Sequence, residues 1–124
     1  MSDYETGMQT RREVLGDEHV ERATASAASF GAPFQEFITR YAWGGPWSRP
    51  ALDRRTRSVI TLTALVSLRA ENEVGMHVRA ALRNGLTPDE ISEIFLHTAV
   101  YAGVPAANSA FAIARRVLDE EGAL

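Results

Sequence analysis

Glu73 and His77 stand four residues apart in ENEVGMHVRAALRNG, residues 71–85. If this segment is helical, the carboxylate and the imidazole lie one above the other on one face. Three kinds of chemistry suit such a pair. A surface pair would only steady the helix, by about 0.2–0.5 kcal/mol. A metal site would need more ligands. Glu71 and His97 are available, but no HExxH and no second helix with a matching Glu-x-x-His accompanies them. An acid/base couple would need burial beside a cleft, where the glutamate could orient the imidazole and raise its basicity.

His97 lies in IFLHTAVYAG, on an otherwise apolar helix, where a lone histidine is more often a satisfied core residue than a catalyst. Tyr101, one turn later, would share its face and could be its hydrogen-bond partner. Arg54, Arg55 and Arg57 crowd the start of DRRTRSVITLTAL, and basic charge at a helix N-terminus is mildly unfavourable. That cost gives an anion site or an intersubunit ion pair somewhat more weight than at a random arginine, beside the bland reading of a solvated first turn. Trp43 and Trp47 flank two glycines in WGGPWSRP, and they suit packing anchors or pocket walls.

The composition closes several routes. With no cysteine, thiol catalysis, disulfides and Cys-ligated zinc are excluded. All 13 basic residues are arginine, so without lysine no Schiff base or pyridoxal phosphate linkage can form. Arginine suits bidentate recognition of carboxylates, although a GC-rich genome would produce the same bias. A net charge of −3 argues against a nucleic-acid partner. No apolar run approaches membrane-spanning length, and MSDYETGMQT lacks the pattern of a signal peptide, so the cytoplasm is the expected compartment.

The pattern is helical throughout, with no alternating strand run. A length of 124 residues predicts a single domain. A first helix is expected over Tyr4–Leu15, stopping at Gly16. A second starts at Asp17 and runs through ERATASAAS, and a third opens at Gly31 and Pro33 with Phe34, Phe37, Ile38 and Tyr41 facing the core. WGGPWSRP, with two glycines and two prolines, is expected to be irregular. The helix over Asp53–Leu68 is the most apolar, and is predicted to be central and buried. The 71–83 segment ends at Asn84-Gly85. Thr87-Pro88-Asp89-Glu90 forms a capping box opening a helix to about Ala102. A last helix runs from Pro105 to about Glu120, and the small residues of AGVPAANSAFAIA suit a tight core or an oligomer interface. The fold class is all-α, with six or seven helices.

The motifs RREVLG (11–16), FITRYAWGGPWSRPAL (37–52), RRTRSVITLTAL (54–65) and the long block 71–114 resemble the 4-carboxymuconolactone decarboxylase family over nearly the whole chain. The resemblance implies the alkylhydroperoxidase D-like all-α fold and a homo-oligomer, usually a hexamer built as a trimer of dimers. It also implies a role in protocatechuate catabolism, in the β-ketoadipate pathway. Peroxidase relatives carry Cys-x-x-Cys-x-x-x-His. Aligned on His77, that motif puts its cysteines at Ala70 and Glu73, so the redox couple is absent. Their upstream glutamate falls near Ser58.

The implied substrate is a dicarboxylate butenolide. Loss of CO2 would push electrons through the ring double bond into the lactone carbonyl, and protonation of the dienolate would give the 3-oxoadipate enol-lactone. The substrate is its own electron sink, so no cofactor and no metal is expected. Under this resemblance His77, steered by Glu73, is the expected proton donor, with His97 second. Arg57, with Arg54 or Arg55, is expected to hold carboxylates, and Trp43, Trp47 and Tyr101 to form walls.

Overall fold

The computed structural model describes residues 2–124, which fall into two compact units, residues 2–53 and 54–124. Among the described residues there are six α-helices and no strand, in agreement with the all-α expectation. No helix among them is long and apolar enough to cross a membrane.

In the first unit, α1 (Asp3–Leu15) is capped by the Ser2 hydroxyl, which accepts from Glu5 N–H at 3.2 Å, and carries Asp3 and Glu5 in its first turn. Both acids suit the positive end of the helix dipole. Its buried face is Gly7, Thr10, Arg11, Val14 and Leu15, the spacing of an inward stripe. α2 (Asp17–Ile38) is interrupted at Ala28 (φ 51°, ψ −158°), so the break precedes the expected one at Gly31. Pro33 explains the shift. Inside a continuous helix its ring would meet the carbonyl of Ser29, so the chain leaves helical geometry just upstream.

A π-helical turn, Thr39–Trp43, follows, closed by Gly44 N–H on Thr39 O at 2.8 Å, and a 3₁₀ turn covers Pro46–Ser48. Much of the segment expected to be irregular is therefore ordered into short helical turns. Pro46 opens the second of them, where its missing N–H costs nothing. Ser48 anchors the turns, donating to Trp43 O at 2.5 Å and bonding the Thr10 hydroxyl at 2.7 Å.

The expected aromatic core face of α2 is a correction. Phe34, Phe37 and Tyr41 are 61%, 56% and 70% exposed. The inward side is instead polar: Arg11 is buried, and it donates to Thr39 Oγ1 at 3.1 Å and to Gln35 Oε1 at 2.7 Å. A buried guanidinium needs oxygen acceptors, so the face that supplies them turns inward and the aromatic stripe turns out. α1 meets the π turn very closely at Gly7. A Cβ there would lie 2.1 Å from Thr39 O and 2.8 Å from Gly44 N, both backbone atoms with no freedom to yield. Gly7→Ala is expected to cost about 1–3 kcal/mol, the scale of overpacking, read as a lowered urea midpoint at unchanged slope.

The second unit contains α3 (Arg54–Ser67), α4 (Glu71–Arg83), α5 (Pro88–Ala102) and α6 (Val104–Glu120). α4 and α5 both pack on α3 and on α6. Their shared core includes Leu62, Val66, Val74, Val78, Ile91, Phe95 and Val117. The small residues of α6 are core residues: Ala106, Ala107, Ala110 and Ala114 are all buried. They let neighbouring helices approach, as does Gly75 of α4, whose Cβ position lies 3.3 Å from Val117 Cγ2. The capping box at Thr87 and Glu90 is present with both reciprocal bonds. α3 departs from expectation. Ser58, Leu62 and Val66 are buried, but Ile60 is 51% and Leu68 just beyond it 76% exposed, because neighbours cover only one stripe of the helix within the chain.

Candidate active site

α4 positions the pair that spacing singles out. α3 ends where Arg69 adopts φ 59°, and Ala70 N–H bonds Leu65 O at 2.9 Å as the chain turns into α4. Glu71 and Glu73 then fall in the first turn of α4, where their charge favours the helix N-terminus. One turn later His77 is buried, only 8% exposed, between Val74, Val78 and Ala81 of the inward face. Glu73 is exposed. His77 is therefore no surface residue, while Glu73 sits at the solvent edge of the same helix.

The remaining candidates are arranged unevenly. Glu71 is paired with Arg69 at 3.2 Å. His97 is exposed on the outer side of α5, a correction to the core reading, because Ile91, Phe95 and Thr98 take the inward positions. Its ring centroid lies 5.6 Å from that of Tyr101, the shared face that their spacing predicted. Tyr101 itself is 81% exposed. No cluster of three His, Asp or Glu side chains arranged for a metal occurs among the described residues.

On α3, Arg55 forms an ion pair with Glu90, the glutamate of the α5 capping box. Arg54 and Arg57 are half-buried. Ser58, where the peroxidase pattern has its glutamate, is buried and accepts from Asn84 Nδ2 at 2.9 Å. That bond ties α3 to the end of α4. In the first unit Trp43 is buried and Trp47 half-buried, their rings stacked at 5.1 Å.

Arg11 is the polar residue that sequence reasoning passed over. Its signal was available: at i+4 from Gly7 and i−3 from Val14, it occupies the centre of the inward stripe of α1. Burial pushes its pKa below the ordinary arginine value, with Tyr4 opposing and Arg12 reinforcing the shift.

These elements define a small all-α protein with one imidazole sunk into a helical core and a run of arginines on a helix packed beside it. The particular family follows from comparison. Residues 32–116 match the Carboxymuconolactone decarboxylase family, and the chain belongs to it. It is 46% identical over 119 residues to the 4-carboxymuconolactone decarboxylase of Acinetobacter baylyi, covering 96% of this chain and 89% of that one. It is 42% identical over 117 residues to the nitrosuccinic acid decarboxylase of Metarhizium robertsii, covering 94% and 82%. A 4-carboxymuconolactone decarboxylase sequence from Pseudomonas putida is 54% identical over 41 residues, 33% of this chain and 85% of that sequence.

Proposed function

We propose that this protein decarboxylates 4-carboxymuconolactone to the 3-oxoadipate enol-lactone and CO2, as a step of protocatechuate catabolism in the cytoplasm. The observation that carries the reading is the 46% identity to the Acinetobacter baylyi enzyme over nearly the full length of both chains. The nitrosuccinic acid decarboxylase supports a common logic. A nitro group, like a conjugated lactone carbonyl, can accept the electron pair released with CO2. In both cases the substrate is the electron sink, and the protein must hold anions, stabilise developing negative charge and deliver a proton.

In this reading the C–CO2 bond breaks, its electron pair moves through the ring double bond into the lactone carbonyl, and the α-carbon of the dienolate takes a proton. His77 delivers that proton, with Glu73 one turn before it on the same helix. Arg57 and Arg54, the half-buried arginines of α3, hold the substrate carboxylates, while the more exposed Arg55 contributes less. His97 and Tyr101, paired on the outer side of α5, complete the set of candidates.

The assay follows ultraviolet loss of 4-carboxymuconolactone with CO2 counted in parallel. Stoichiometric release supports the reading. An inert protein, or one that releases CO2 only from nitrosuccinate, sinks it and favours the second substrate. Arg57→Gln is expected to raise KM by about tenfold or more, whereas Arg55→Gln should leave it within about threefold, since exposed ion pairs contribute little. Equal effects from both would remove Arg57 from the substrate.

The active form is proposed to be a homo-oligomer, a hexamer built as a trimer of dimers. Its support is the apolar surface one chain leaves open: Leu68, Val100, Tyr101 and Val104 are each more than 70% exposed. Sedimentation of the purified protein tests it, and a monomer at micromolar concentration would count against it.

A further inference from the structure

The first unit contains a solvent-open cavity of about 580 Å³, a size suited to a small organic ligand. Its wall is largely apolar on one side, with Met8, Ala25, Ala28 and Ala32. Arg11 lies on the same wall, 3% exposed. Of its five N–H donors, two reach neutral oxygens, those of Thr39 and Gln35, and Nε is buried without an acceptor. Among the described residues no carboxylate forms an ion pair with it. Glu36, the one acidic residue on the wall, is held by Arg40 at 3.1 Å, and Arg40 in turn lies 5.4 Å from the ring centroid of Tyr4. The cavity therefore carries two arginines against one glutamate, and the buried arginine has only neutral partners.

Buried charges in proteins are ordinarily paired, because an unmatched one loses its hydration without return. A guanidinium with only neutral partners, on the wall of an open and largely apolar pocket, is matched to a planar anion with an apolar body. The geometry points to a binding site in this cavity for a small carboxylate with an apolar body, its carboxylate on Arg11 and its body against Met8 and the alanines. Gln35 and Thr39 hold the guanidinium by one hydrogen bond each and line the same cavity, so the arginine is fixed in place on its wall. This site is distinct in chemistry from the dianion-holding arginines of α3 and does not rest on the decarboxylase reading.

Calorimetric titration of the full-length protein with benzoate, at constant ionic strength, tests it, with benzamide as the uncharged analogue of the same shape. The expected result is saturable binding of one benzoate per chain, weaker by about tenfold or more for benzamide and for Arg11→Gln. Ala32→Phe, which fills the cavity from an exposed helical position and leaves Arg11 in place, should abolish binding even if Arg11→Gln fails to fold. A flat titration up to about 10 mM benzoate overturns the proposal, as does undiminished binding by Ala32→Phe or equal binding of benzamide. A flat titration combined with altered sedimentation of Arg11→Gln would assign the guanidinium to a carboxylate of a neighbouring chain, and would equally overturn it.

Discussion

His77→Ala is expected to lower kcat for decarboxylation by roughly 10²–10⁴, the range that a positioned general acid supplies. That corresponds to about 3–5 kcal/mol of barrier. The size follows from where the imidazole sits. It is 8% exposed on the inward face of α4, so bulk water has poor access to replace it as proton donor. Val74, Val78 and Ala81 of the same helix keep their places in the core of the variant, so it should retain its helical content. A proton donor of the kind proposed for His77 acts in the transition state, so kcat and kcat/KM should fall together. Near-normal turnover would remove His77 from the chemistry. Glu73→Gln should be milder, within about tenfold, because an exposed carboxylate acts through solvent-screened charge.

The largest effect on stability is expected at Phe95. Phe95→Ala should cost about 3–5 kcal/mol, the range for deleting a buried aromatic ring. That is a large share of the 5–15 kcal/mol typical of a folded domain. Phe95 is fully buried on α5 in the core shared with Leu62, Ile91 and the alanines of α6, and its ring meets Phe111 edge-on at 5.5 Å. The backbone spacing set by Ala106, Ala110 and Ala114 limits how far the helices can close over the void. Phe111→Ala, at a position already 38% exposed, should cost about 1–2 kcal/mol, scaled from the same series. Urea unfolding of all three proteins at one fixed protein concentration checks both. Equal losses at the two positions would mean that the ring contact, rather than burial, dominates.

Local signals determined the elements. Gly16, Asn84-Gly85 and the Thr87–Glu90 capping box mark boundaries through short-range hydrogen bonds and backbone preference, and the helices obey them. The absence of cysteine and lysine likewise closed thiol and Schiff-base chemistry without any structure. The i,i+4 relation of Glu73 and His77 was legible, and so was that of His97 and Tyr101, because a helix fixes such neighbours whatever surrounds it.

Only the tertiary structure decided which faces turn inward. Periodicity alone put Phe34, Phe37 and Tyr41 in the core, yet the demand of buried Arg11 for oxygen acceptors turned Gln35 and Thr39 inward instead. Spacing treated Glu73 and His77 alike, and packing separated them into an exposed acid and a buried imidazole. Helical periodicity records which residues share a stripe. Burial depends on what another helix brings to that stripe, and a buried charge can outweigh three aromatic rings.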